Sequence, residues 1–210
     1  MKRLWIHSIT ALALAFAASA YAQDLTKFES KPGTKIKMDG TSNIHDWIVE
    51  SFIVKGTLEL DSAFVTKPTE AKPGKIPAKV EATIPVRSLR STKSKAMDDR
   101  MYQAMKMTQF PQIEYRLTEL TLKETPKSAN GPYAFESKGD LTVSGVTNKV
   151  SFPVTMTRSD KTMKTTGSTT VKMTSFGITP PALDLLIGAI RTGDEVKITF
   201  DWVTGTGEAK

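Results

Sequence analysis

Residues Lys95–Tyr115 read KAMDDRMYQAMKMTQFPQIEY, and this stretch decides the fold. Met97, Met101 and Met105 recur every four residues, with Tyr102 nearby, as on one face of a helix. Pro111 ends that helix, because its ring clashes with the preceding turn and it has no N–H to donate. From Gln112 onward the period changes from four to two: Ile113, Tyr115 and Leu117 alternate with Gln112, Glu114 and Arg116. The spacing therefore predicts a helix over Lys93–Met107, capped by Ser91 or Thr92, and then a strand. A methionine stripe fits ordinary core packing, and it also fits a flexible lid over an irregular apolar ligand.

Outward from this stretch almost everything alternates in twos. Phe52, Val54, Leu58 and Leu60 form one apolar face, with Gly56 marking a bulge or bend. Phe64–Gly74 reads as a loop. Ile76–Val86 reads as a long strand whose Pro77 and Pro85 put it at a sheet edge or bend it there. Thr34–Asn43 opens as a strand that turns near Asp39-Gly40. Tyr133, Phe135, Leu141 and Val143 share a face, and Val150, Phe152, Val154 and Met156 return after Ser144–Asn148. Thr169, Val171 and Met173 follow, Pro180–Ile190 reads as a loop with one helical turn, and Val196, Ile198, Phe200 and Trp202 close the chain. About eight strands with short, antiparallel connections and one inserted α-helix make an all-β barrel or sandwich in one domain.

The N-terminus reads as an address. Lys2 and Arg3 precede an apolar run, Ile9–Ala18, and Ala20-Tyr21-Ala22 offers small residues to a signal peptidase. Residues 1–22 are thus expected to be a cleaved signal peptide and residues 23–210 the folded domain, in the periplasm or secreted. The formal net charge is +7, and +5 without Lys2 and Arg3, but the lysines are scattered and form no run interleaved with aromatics. Nucleic acid is therefore not expected as a partner. The chain has no cysteine, which excludes thiol chemistry and cysteine-held metals within it.

Chemistry is sparse. His45 is the only histidine after residue 22, too few for a multi-histidine metal site. No Gly-x-Ser-x-Gly motif accompanies it. His45 and Trp47 are read as rim residues, Trp47 for its apolar body and N–H tip. Asp98 and Asp99 fit the charge preference of a helix N-terminus better than paired acid–base work. No metal, cofactor or catalytic residue is expected. The alternating faces leave two readings open, a filled core or a tubular cavity.

Several segments resemble one family. Phe110–Tyr115 is similar to its "F/Y-P-x-I-x-F" strand start, and Gly139–Thr147 to its "G-x-L-T-I-x-G-V-T" hairpin. Phe176-Gly177-Ile178 and Gly193–Ile198 resemble its C-terminal signatures. In order and spacing these resemble the YceI-like family, polyisoprenoid-binding proteins with a lipocalin-like barrel. The resemblance implies an eight-stranded antiparallel lipocalin-like barrel holding a long isoprenoid or similar amphiphilic lipid, such as an isoprenoid quinone or polyprenol. It also implies a non-enzymatic role in transport, storage or scavenging, with transient membrane contact and pairing into a homodimer. The lumen candidates are then Phe52, Val54, Val80, Ile84, Ile113, Tyr115, Phe135, Leu141, Val143, Phe152, Val171, Ile198 and Phe200, with Met97, Met101 and Met105 closing one side. Two features depart from the common pattern. Asp98-Asp99-Arg100-Met101-Tyr102 replaces a frequent "R-D-x-H-L", and Thr41–Trp47 resembles a subgroup's "G-T-S-x-x-H-D-W" segment, which leaves the lipid class open. The rival readings are a protein-interaction module with a filled barrel and an enzyme acting on a lipid or sugar.

Overall fold

The computed structural model describes residues 24–91, 94–185 and 188–207; the expected signal segment and Thr92 lie outside them. Strands β1 (Leu25–Ser30), β2 (Lys35–Ser42), β3 (Trp47–Ser51) and β4 (Lys55–Asp61) lead into a short helix α1 (Ser62–Thr66). Then come β5 (Gly74–Lys75), β6 (Ala78–Pro85), β7 (Arg90–Ser91) and helix α2 (Lys95–Ala104). The rest is strand: β8 (Gln112–Leu122), β9 (Tyr133–Val143), β10 (Val146–Ser159), β11 (Thr162–Lys172), β12 (Ala182–Leu185) and β13 (Gly188–Gly205).

Eight of these close a ring in the order β1-β4-β6-β8-β9-β10-β11-β13, with β13 pairing back to β1. Every pairing is antiparallel, as the short connections require. The ring is not uniform in height. Beyond Pro32-Gly33 the chain leaves β4 but stays on β13 as β2, then pairs with β3 and so with β7. Those three strands raise the wall at the end where α2 lies. Gly33 takes φ +98 at the step, and Thr34 Oγ1 accepts from Val203 N at 3.1 Å, fixing where the split occurs.

The two ends of the barrel are built differently. At one end Phe64 of α1 packs edge-on against Tyr133 and Phe135, with centroids 5.3 and 5.5 Å apart. Leu60, Leu122 and Met163 fill in around them, and all six are buried. At the other end α2 is tied down by polar groups. Asp98 Oδ1 accepts from Ser91 N at 2.5 Å, its Oδ2 lies 3.6 Å from Arg90, and Tyr102 Oη donates to Leu89 O at 2.6 Å. Ser144 Oγ donates to Met105 O at 3.0 Å, anchoring the far end of the helix to the β9–β10 hairpin.

Several sequence expectations are corrected. Helix α1, too short to show periodicity, overlaps the start of the Phe64–Gly74 segment, so the described residues hold two α-helices rather than one. β2 runs through Asp39-Gly40 and turns only after Ser42. β6 sits between β4 and β8, not at an edge; Pro77 and Pro85 bound it, where no ladder donor is lost. Ser94, not Ser91 or Thr92, occupies the N-cap of α2. The Pro180–Ile190 segment is no helical loop: β12 pairs with the start of β13 in register from Ala182–Arg191 to Leu185–Gly188. Gly56 answers to close approach, because a Cβ there would run into the Glu81 carbonyl of β6 and its φ is +152.

Two outcomes follow from this architecture. Gly56→Ala combines a forbidden φ with a backbone clash and should lower unfolding free energy by ~2 kcal/mol or more, read by urea titration. Glu119 sits between Lys138 at 2.8 Å and Lys75 at 2.5 Å, joining β5, β8 and β9. Hydrogen bonds from Lys138 and then Lys75 hold its carboxyl down to about 2, from 4.5. The unfolded chain binds that proton first, so the contribution is complete above pH 4.5 and disappears as pH falls toward 2. Glu119→Gln should therefore show a shallower loss of stability across that window than the wild type.

A candidate lipid-binding lumen

Between plug and lid the barrel is hollow. Its cavity has a volume of about 460 Å³, within the ~300–1,000 Å³ of small-molecule sites. The filled-core alternative is thereby set aside. Nearest the plug the walls are Leu58, Val80, Leu120, Val154, Met156 and Trp202. Tyr115, Phe152 and Phe200 then meet as an aromatic chain, with centroids 5.8 and 5.9 Å apart. Toward the lid the lining passes to Ile84, Ile113, Leu141, Val171 and Ile198, and then to Met97, Met101 and Met105 of α2. The methionine stripe thus faces the cavity, as a core and a lid both require.

The mouth is the polar part. Ser42, His45, Trp47, Ser94, Arg100 and Thr192 border it. Trp47 lies flat on β2 because residue 40 is glycine; a Cβ there would overlap the indole ring. Its Nε1 donates to Thr41 O at 3.1 Å. Ser42 Oγ accepts from His45 N at 3.1 Å and donates to His45 O at 2.6 Å, so it shapes the turn that presents the imidazole. Among the described residues the imidazole meets the Asp46 backbone oxygen, at 3.2 Å. Among the described residues no serine–histidine–carboxylate arrangement forms there. Among the described residues no three His, Cys, Asp or Glu side chains cluster as a metal site. Inside, Tyr115 Oη and Ser137 Oγ lie 2.7 Å apart, and burial pushes the tyrosine phenol above its ordinary 10. It is therefore a neutral hydroxyl.

Of the residues singled out from sequence, Val54, Val80, Ile84, Met97, Met101, Met105, Ile113, Tyr115, Leu141, Val143, Phe152, Val171, Ile198 and Phe200 line the cavity, as do His45 and Trp47. Two do not. Phe52 is 66% exposed in the β3–β4 connection, with Lys35 Nζ 5.7 Å from its ring. Phe135 has the right face but the wrong depth, since it belongs to the plug. Sequence reasoning missed Leu58, Leu120, Val154, Met156 and Trp202 as lumen residues, although they continue the same alternation. It also missed Arg100, which the helical spacing of the methionine stripe does not distinguish. Asp98 proves to be a buried tie to β7 rather than a helix-end charge alone.

Comparison with known proteins agrees with this geometry. BcnA of Burkholderia cenocepacia superposes with a TM-score of 0.59 at 18% identity, over 81% of this chain and 95% of that one. A polyisoprenoid binding domain from Saccharophagus degradans, implicated in plant cell wall breakdown, gives 0.61 at 9% identity, over 88% and 100%. The YceI protein of Campylobacter jejuni gives 0.55 at 13% identity, over 76% and 85%. At these identities the likeness is one of fold. No curated protein sequence matches significantly. The model of the YceI-like domain matches residues 27–204, from within β1 to within β13, and the chain belongs to that family.

Proposed function

We propose that the protein binds one long-chain amphiphilic lipid, isoprenoid or similar, in the barrel lumen and carries or stores it without altering it. The observation that carries this reading is the cavity of about 460 Å³ with walls almost wholly of aliphatic, methionine and aromatic side chains. Its driving force would be burial of chain, at about 0.8 kcal/mol per CH₂. Association costs ~4–15 kcal/mol, so a chain of a few carbons gains too little while a dozen or more groups can offset it. That arithmetic favours long chains over short fatty acids. The likeness to a polyisoprenoid binding domain supports holding rather than conversion. The motif at residues 1–22 supports a periplasmic or secreted site of action, where a lipid between membranes needs cover from water. Exposed Ile44 beside the mouth suits brief contact with a membrane during loading.

The test is native mass spectrometry of the protein purified from its own source, with lipid extraction. One bound isoprenoid or acyl lipid per chain is expected. An empty protein that also refuses quinones, polyprenols and fatty amides would overturn the reading. Val143→Asp, which sets a charge on the lumen wall, should abolish uptake while circular dichroism stays native. Phe52→Ala, outside the lumen, should leave uptake unchanged.

A further inference from the structure

The cavity is charged at one end only. Among the described residues that line it, none is Asp or Glu, and Arg100 is the one with a permanent charge. Arg100 belongs to the inward face of α2, since Met97, Met101 and Ala104 of the same helix border the same space. It is exposed, whereas Met105 farther along that face is buried. Arg100 therefore stands where the apolar lining meets water.

Its charge is not spent on the protein. Among the described residues no carboxylate pairs with Arg100, although other arginines are engaged: Arg90 lies 3.6 Å from Asp98, and Arg116 lies 3.4 Å from Glu81. Ser94 borders the same opening as the N-cap residue of α2, and its hydroxyl makes no capping bond. His45 and Thr192 complete this polar rim. A rim with a cation, hydroxyls and no carboxylate favours an anion. Deeper in, Leu58, Leu120, Val154 and Met156 offer a charge nothing to pair with, so it would be desolvated there at high cost.

Resting on the lipid-binding reading above, we propose that the occupant carries an anionic oxygen head, a phosphate or a carboxylate, which stays at the mouth on Arg100 while the chain enters tail first. The planar guanidinium fork matches two oxygens of such a head, which a neutral alcohol does not present. Arg100 is then the residue that selects the head, and the walls select the chain. The far end of the chain runs past Ile198 and Phe152 to Val154 and Met156 beside the plug.

The experiment compares a polyprenyl monophosphate with the polyprenol of equal chain length on wild type, Arg100→Gln and Arg100→Lys. The wild type should prefer the phosphate by roughly fivefold, the scale of a water-exposed ion pair, and raising salt should shrink that preference. Arg100→Gln should erase the preference and Arg100→Lys should keep part of it. The preference is a ratio within each protein, so a general loss of uptake does not imitate the effect. Inorganic phosphate added alone should not bind, which separates a lipid head from a free anion. A second reading needs no variant: the phosphate probe with a diazirine at its far end, crosslinked to the wild type, should label Leu120, Val154 or Met156. No preference in the wild type, equal preference in all three proteins, binding of inorganic phosphate alone, or label confined to α2 would overturn the anionic head at the mouth while leaving lipid binding intact. A wild type that takes neither probe would overturn both.

Discussion

Two residue pairs, Glu29–Gly205 and Ser30–Thr204, join β1 to β13 and turn a curved sheet into a barrel. Without them the first and last strands would present open edges, and the lumen would be a trough exposed to water. So short a seam is reinforced around its length. Lys31 N donates to Val203 O at 2.8 Å, and Trp202 Nε1 donates to Ser30 Oγ at 2.9 Å. The same β13 then carries β2 on its upper part and the β12 hairpin on its start. One strand thus fixes closure, wall height and part of the mouth, and the cavity exists because these are set together.

The asymmetry of the two ends gives the lumen a direction. The plug is an aromatic cluster with Phe64 at its centre, held by apolar packing. The lid is a helix held mainly by polar ties at its two ends, Asp98 to β7 and Met105 to Ser144. Its inward face is methionine, which adapts to irregular shapes more readily than branched side chains. An elongated guest would meet a fixed floor and an adaptable roof. Within the walls, the hydrogen-bonded hydroxyls of Tyr115 and Ser137 interrupt what would otherwise be a uniform apolar tube.

The alternation of residues named the barrel strands β4, β6, β8, β9, β10, β11 and β13 and, for most of them, the inward face, but it did not pick out β1, β3 or β12. The reason is physical: the side-chain period of a strand is two, so a half-buried wall writes itself into the chain. Depth along the axis is not written there. Phe135 and Val143 share a face of β9, yet one is in the plug and the other lines the cavity. Phe52 keeps the parity of Val54 but falls in a connection, where parity has no meaning. Pro77 and Pro85 looked like edge markers because proline cannot donate. They prove to bound an interior strand, where that donor is not needed.

By itself the sequence determined the all-β class, the inserted helix with its methionine stripe, the family, and the lack of assembled thiol or multi-histidine chemistry. The class and the helix are properties of local period, the family of a resemblance in the order and spacing of motifs, and the last of composition. Tertiary structure alone decided that the barrel is hollow, that Asp98 holds the lid, that Gly40 makes room for Trp47, and that Tyr115 and Ser137 meet inside the cavity. Each depends on which atoms from distant strands come within a few ångströms, and ring closure sets those distances, not the order of residues along any one strand.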